Sequence, residues 1–405
     1  MRAAWTVAVL ALVGPAWSAE HQPVGARFHI TVADLPPPGA TPSVSNGPVA
    51  IARPAGATLQ VPEGFRVNLF ADGLEHPRSM VVAENGDVFL AESSAHRVTL
   101  LRDEDGDGRA DLVTLFTEGL RHPHGLAIAG GYLYVADTRA VWRFPYRAGQ
   151  VRATGPPQRV TPRGALGTAR GHWTRNLAFS PDGRRFFVAI GSQSNLEEEP
   201  EPHATVQVFN ADGSGGRTFA AGLRNPVGIA FYPDSQFLYV VVNERDRLGD
   251  DLPPDYLTRI EDGDFFGWPY AYLGPNPDPD FGHRRPDLVA RTKVPDVLFQ
   301  AHSTPIGLVF YDAEQFPEAY RGDAFVALRG SWNRSRPTGY KVVRVPFRDG
   351  RPLGTYENFA TGFWHAGTKR AWVWGRPAGL AVAADGSLLV ADDTGGAVWR
   401  ISYRR

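Results

Sequence analysis

The stretch GHWTRN, residues 171–176, sets His172, Trp173, Arg175 and Asn176 directly ahead of the apolar run LAF. An imidazole titrates near neutrality, so His172 is a candidate general base; a lone histidine is equally at home as a hydrogen-bonded structural group. Further on, GLRNPVG pairs Arg224 with Asn225. A planar fork of donors beside an amide suits a bound carboxylate or quinone oxygen, and also suits simple turn packing. Arg329 in ALRGSWNR and Arg376 in GRPAG fall where strand interiors normally take apolar side chains. Singly, each arginine reads as half of a structural ion pair. Brought together, they suggest a ligand with several carboxylates.

Two segments could hold a hard cation. LRDEDGDGRADL presents Asp103, Asp105, Asp107 and Asp111, with Gly108 for the sharp turn. Oxygens at this spacing match the first part of a calcium loop. Thr114 stands where an EF-hand has its bidentate glutamate, so the pattern is incomplete: a structural Ca²⁺ clip or a solvated acidic turn. NERDRLGDDLPPDYLTRI, residues 243–260, is the second, with Asp250-Asp251 just ahead of a Pro-Pro pair. It reads either as a charged surface loop or as a rigid ligand set on the side of Arg224 and Asn225.

Other chemistries are excluded. The chain has no cysteine, which removes thiolate zinc sites, C-x-x-C-H haem attachment and cysteine nucleophiles. It has no glycine-rich phosphate loop ahead of a helix, no G-x-S-x-G elbow and no H-E-x-x-H. The formal net charge is −1, so no global field points to nucleic acid or an anionic membrane. Lys293, Lys341 and Lys369 are the only lysines among 42 basic residues, so an anion site here depends mainly on arginine.

The elements that must position these groups are legible as a repeat. With 44 glycines and 34 prolines in 405 residues, short strands joined by tight turns are expected. A hairpin with a proline-containing approach recurs from His76, His122, Arg175, Asn225, Thr304 and Arg376, at separations of 46, 53, 50, 79 and 72 residues. A single hairpin cannot bury its own apolar face, so the copies must stack. The expected fold is all-β: a six-bladed β-propeller with four-stranded antiparallel blades over residues 59–405, with insertions after the fourth and fifth copies. A β-sandwich is the lesser alternative. Residues leading into the innermost strands, among them His76, His122, His124, His172, Arg175, Arg224, Asn225, Thr304 and Arg376, should then gather at one mouth of the channel. Residues 1–19 read as a secretory signal peptide and 20–58 as an extended arm rich in Pro, Gly, Ala and Ser. Nothing later approaches the ~18 apolar residues of a membrane span, so a periplasmic or secreted protein is expected.

The longest of these motifs resemble one family. GHWTRNLAFSPDG, GLRNPVGIAFYPD, VVNERDRLGDDLPPDYLTRIEDGDFFGWPYAYLG, HSTPIGLVFY, FPEAYRGDAFVALRGSWNR, GYKVVRVPF and GRPAGLAVAADGSLLVADD are similar to the pyrroloquinoline-quinone-dependent soluble sugar dehydrogenases, nearest to the sorbosone-dehydrogenase branch. The resemblance spans roughly residues 60–403. It implies a propeller with pyrroloquinoline quinone at the channel mouth beside Ca²⁺. His172 matches the family's base, Arg224 and Asn225 the pair contacting the quinone, and Arg376 a carboxylate-binding arginine. Arg329 falls where a glucose-oxidising relative carries a lysine to the cofactor. Arg245 and Asp246, just before Asp250 and Asp251, lie where the family ligates the cofactor's calcium, partly through backbone carbonyls. Glucose-oxidising relatives have Gly-Pro where this chain has Asp246-Arg247. The implied reaction has His172 removing a proton from a sugar hydroxyl or aldehyde hydrate while hydride passes to the quinone. Trp173 or Trp332 could stack on cofactor or sugar. The implied partners are a small sugar or aldehyde and a separate electron acceptor, since the chain has no haem motif. A calcium-dependent lactonase and a non-enzymatic propeller binding a glycan or protein remain as alternatives.

Overall fold

The computed structural model describes residues 22–404. The expected signal peptide, 1–19, lies outside the described residues. Six inner strands organise the rest: β1 (Pro77–Val82), β2 (Gly125–Ala129), β3 (Arg175–Phe179), β4 (Asn225–Phe231), β5 (Pro305–Phe310) and β6 (Pro377–Val382). Each begins an antiparallel sheet of four main strands. The hairpin turns take the residues their backbone demands. Gly130-Gly131, with φ of 53° and 77°, joins β2 to Tyr132–Ala136. Asp182-Gly183 turns β3 into Arg185–Ile190.

Four of these sheets have exactly four strands and two have a fifth. The sheet of β3 gains Asp264–Phe265 in parallel, and that of β5 gains Arg27–Phe28 from the N-terminal segment. The sheet of β6 takes its outer strand, Phe65–Ala71, from the other end of the chain, where it pairs with Ala397–Tyr403. That pairing ties residues near both ends into one sheet.

Apolar clusters lie between neighbouring sheets. Phe89 and Phe116 of the first sheet pack on Leu133, Val135 and Phe144 of the second. Tyr134 and Val141 of the second meet Phe186 and Val188 of the third. The series continues through Val240 and Tyr256, then Tyr239 and Phe325's neighbour Val326, to a cluster holding Phe359 and Trp399. Met80 and Leu90 of the first sheet pack against Leu389 and Val398 of the sixth. The inner strands follow the same cyclic order of contact, from β1 to β6 and back to β1. The glycine in the repeated Pro-x-Gly approach has a packing reason: a Cβ on Gly379 of β6 would collide with the Arg78 carbonyl of β1.

The long insertions come after the fourth and fifth copies of the hairpin. One lies inside the fourth sheet, between its strands Tyr256–Ile260 and Val297–Leu298, and carries the short helix Pro286–Ala290. The other follows the fifth sheet and forms a small sheet of Trp364–Ala366 and Trp372–Val373 with Val49–Ala50. The arm is thus laid against the fold by strand pairing at two points. No helix among the described residues is long and apolar enough to cross a membrane.

Candidate active site

The six inner strands begin at one end of a narrow central cavity lined by Ser79, Leu126, Asn176, Ile229, Ile306 and Gly379, one residue from each. The turns leading into them carry the polar groups. His76, His122 and Thr304 each precede a proline and hold φ of 53°, 51° and 60°. Left-handed backbone at a β-branched threonine is an outlier of roughly 1–3 kcal/mol, a cost met where a site fixes its geometry. Thr304 is held by its N–H, which donates to Asp255 Oδ2 at 2.8 Å.

One half of the site is built around His172. Its Nδ1 lies 2.9 Å from the Ser192 carbonyl and 3.0 Å from Ser192 Oγ. A carbonyl only accepts, so Nδ1 carries the proton and Nε2 keeps its lone pair. Burial and the nearby Arg224 guanidinium push the imidazole down to about 3, against a smaller opposing effect of the Ser192 bond. The ring is therefore neutral across the whole neutral range. Gly191 makes room behind it: a Cβ there would strike both His172 and Asn225. Asn225 Oδ1 is buried with no hydrogen-bond partner, an acceptor left open at this point.

Arg224 is fixed from several sides. It donates to the Glu244 carbonyl at 2.7 Å, to Asn195 Oδ1 at 3.0 Å and to Asp246 Oδ2 at 3.3 Å. Asn333 binds the other oxygen of Asp246. Asp246 and Asn333 border a cavity of about 680 Å³ together with Asn195, Arg247 and the half-exposed Trp332.

The other half gathers cations around one carboxylate. Asp393, on the turn after Leu388–Asp392, receives Arg329 at 2.6 Å and Arg78 at 3.3 Å, with His76 at 3.7 Å. Although burial alone would raise it, Arg329 and Arg78 hold the Asp393 carboxyl well below the usual carboxylate range. Arg376 adds a third guanidinium, anchored to the carbonyls of Arg329 and Gly330 at 3.0 Å each. Burial lowers both Arg78 and Arg376 to about 10, in Arg376 reinforced by its neighbour Arg329. Arg78 and Arg329 thus pair with the Asp393 carboxylate, and the Arg376 guanidinium lies close enough to feel its charge. The adjacent Asp392 carboxyl, raised by burial to about 6, accepts at Oδ1 from the backbone N–H groups of Arg376 and Gly395, and its Oδ2 is buried without a partner. Trp173 joins the two halves: it packs 5.4 Å from Arg78 and within 6 Å of the His122 and His124 rings.

This donor set fits a polycarboxylate. The buried guanidinium groups are what the carboxylates of a tricarboxylic ortho-quinone would complement. Arg329 and Arg376 flank strands instead of sitting within them, Arg329 just after Ala324–Leu328 and Arg376 just before β6.

The segment expected to hold the cofactor's calcium does not assemble a side-chain cage. Arg245 turns away to a buried ion pair with Asp278, with Asp280 at 3.6 Å, and a guanidinium offers a cation nothing. Asp251 pairs with Arg334 at 2.5 Å, and Asp250 accepts from the Ser335 N–H at 2.9 Å. Asp246 is the carboxylate of this set that faces the site. The other acidic loop does converge: oxygens of Asp103, Asp105 and Asp111 lie within 4.8 Å of one another. Asp107 stands outside that group, accepting from the Arg109 N–H at 2.8 Å.

A family model for TrAA12-like proteins matches residues 59–255 and 287–404. The chain belongs to the TrAA12-like family. An uncharacterised protein of Borreliella burgdorferi is 27% identical over 86% of this chain and 92% of its own length. A pyrroloquinoline quinone-dependent pyranose dehydrogenase of Coprinopsis cinerea is 25% identical over 85% of this TrAA12-like chain, which spans 54% of that longer protein. The fold is shared with the holo form of that enzyme's PQQ domain (TM-score 0.72, 22% identity, 88% of this chain and 99% of that one). It is shared too with a calcium structure of a Trichoderma reesei family AA12 enzyme (0.71, 20%, 86% and 98%). A PQQ-bound aldose sugar dehydrogenase of Streptomyces coelicolor has TM-score 0.59 at 18% identity, over 87% and 100%.

Sequence reasoning missed Arg78, Asp393, Asn195 and Asn333. Arg78 had a usable signal. In HPRS it occupies the place where the other proline-led copies carry His124, Val227, Ile306 and Ala378, so a guanidinium there breaks the repeat.

Proposed function

We propose that this TrAA12-like protein is a quinone-dependent sugar dehydrogenase whose six sheets are the blades of a propeller and whose active site is the mouth described above. The observation that carries the reading is the cluster of Arg78, Arg329 and Arg376 at Asp393, with His172, its Nδ1 held by Ser192, beside the Trp173 that packs on Arg78. Arg78, Arg329 and Arg376 would hold the carboxylates of pyrroloquinoline quinone, and Arg224 with Asn225 its polar edge. When bound, that group supplies a two-electron acceptor for hydride from the substrate carbon.

The chain's own residues do the rest. His172 Nε2 takes the proton of the sugar hydroxyl, or of an aldehyde hydrate in the sorbosone-type variant of the reaction. Ser192 keeps the ring in the tautomer that can do so. Arg224 stabilises negative charge growing on the substrate oxygen. Asp246 is the carboxylate available to a cation bound beside the quinone. A separate redox molecule would reoxidise the enzyme in the periplasm or outside the cell.

Reconstitution tests this. Adding pyrroloquinoline quinone to the purified protein is expected to quench tryptophan fluorescence in a saturable way and to confer dye reduction with aldoses or sugar aldehydes. Absence of quinone binding with calcium present would overturn the reading. Binding without turnover on any sugar would leave a quinone carrier instead of a dehydrogenase.

We also propose that Asp103, Asp105 and Asp111 clip a structural Ca²⁺. Calcium is then expected to raise Tm in the native protein by a few degrees and to leave the Asp103→Asn, Asp105→Asn double variant unmoved. Equal shifts in both proteins, read by differential scanning calorimetry, would assign the effect elsewhere.

A further inference from the structure

Lys341 is buried on the strand Lys341–Val345 of the fifth sheet, only 2% exposed, and no step at the mouth uses it. Among the described residues its ammonium meets no carboxylate; its contact is the Phe28 ring, 4.6 Å away. It borders a cavity of about 510 Å³, within the ~300–1,000 Å³ typical of small-molecule sites. Arg336 and Lys369 line the same space, and the lining contains no aspartate or glutamate. Neither has a carboxylate partner among the described residues. A buried, unpaired ammonium is costly, and burial accordingly lowers Lys341 to about 7. A bound anion would remove that cost.

The remaining walls specify more than charge. Phe28 and Trp364 present aromatic surface. Gln22 spends its Nε2 on the Gly339 carbonyl at 2.5 Å, which leaves Oε1 to accept. Gln300 spends its Oε1 on the Thr338 hydroxyl at 3.0 Å, which leaves Nε2 to donate. Free amide donors and acceptors beside aromatic faces match a ring that carries hydroxyls, and three cations without acids match a carboxylate on it.

We propose that the cavity bounded by Lys341, Arg336, Lys369, Trp364 and Phe28 binds an acidic sugar, a hydroxyl-bearing ring with one carboxylate. The site shares no lining residue with the channel mouth, so it stands whether or not the chain oxidises sugars. Bare phosphate would satisfy the cations and leave the aromatic and amide walls unused.

Calorimetric titration of the protein with methyl glucuronide, methyl glucoside and inorganic phosphate tests it. The glycosidic methyl group removes the anomeric hydroxyl, so the probe is not consumed as an aldose. The expected result is saturable one-to-one binding of methyl glucuronide and none of the other two at matched concentration. Affinity should fall roughly tenfold or more in Lys341→Met and in Arg336→Gln, and stay unchanged in Arg376→Gln. Arg336 is exposed at the rim, so its variant keeps the test decisive if Lys341→Met fails to fold. No binding, equal binding of methyl glucoside or phosphate, undiminished affinity in Arg336→Gln, or loss confined to Arg376→Gln would each overturn the proposal.

Discussion

Replacing His172 with alanine is expected to lower kcat of the quinone-loaded protein by ~10²–10⁴-fold, the usual worth of a positioned general base. Quinone affinity should change little, because no guanidinium is removed. The expectation rests on the tautomer: Nδ1–H is committed to Ser192, so Nε2 is the nitrogen able to accept a proton. The quinone-loaded protein should show no loss of kcat/KM between pH 8 and 6, since burial and Arg224 keep the imidazole neutral, down to about 3 in the ligand-free fold. Quinone carboxylates would offset Arg224 and bring the base closer to working strength in both parameters alike, so the acid limbs of kcat and kcat/KM should both lie above the value of the quinone-free imidazole. Steady-state dye reduction across pH, with fluorescence titration of the quinone, separates the two effects. Full turnover in His172→Ala would remove the residue from the chemistry; weakened quinone binding alone would make it a positioning residue. Ser192→Ala offers a finer check, because loss of the hydroxyl contact leaves the carbonyl to hold Nδ1.

The fold was readable because its signals are local. A hairpin turn, a proline that needs no N–H and a glycine that admits the neighbouring strand all occur within a few residues, and each repeats. His172, Arg224, Asn225 and Arg376 could be singled out for the same reason: they stand at fixed offsets from that pattern. The ion pair between Arg78 and Asp393 could not be, because its partners come from the first and last copies and meet only where the first and sixth inner strands come into contact. Asp393 in particular reads as part of a turn, in a DDTGG stretch that favours one. Asp250 and Asp251 misled in the opposite sense. Adjacent carboxylates before Pro-Pro look like a ligand pair, yet a loop some 85 residues further along the chain supplies Arg334 and the Ser335 N–H that occupy them. Lys341 carried no signal at all, since one lysine in an apolar strand looks like an edge residue.

The largest stability effect is expected from Asp393→Asn. The carboxylate is fully buried, and its removal leaves Arg78 and Arg329 facing each other without a counter-charge. Breaking a buried pair by deleting one partner typically costs ~3–5 kcal/mol, so the cofactor-free variant should unfold at a much lower temperature. The sign of its pH dependence follows from the carboxyl's depressed pKa. A group held below its unfolded value contributes stability above that value, ~3.9 for aspartate, and loses it as pH falls toward the folded pKa. Native protein should therefore weaken below about pH 4 on this account, and Asp393→Asn should lack that increment. A separate loss begins near pH 6.5 in both proteins, because His172 and His76 are neutral in the fold, at about 3 and about 4, and must gain protons on unfolding in acid. The discriminating measurement is the response to ligand. If Arg78 and Arg329 receive carboxylates of the quinone, the ligand replaces the missing counter-charge, and its stabilisation of Asp393→Asn should exceed that of the native protein. A purely structural role for Asp393 gives equal shifts. Calorimetric scans of both proteins, with and without pyrroloquinoline quinone, therefore test the anion site through stability alone, without any reference to turnover.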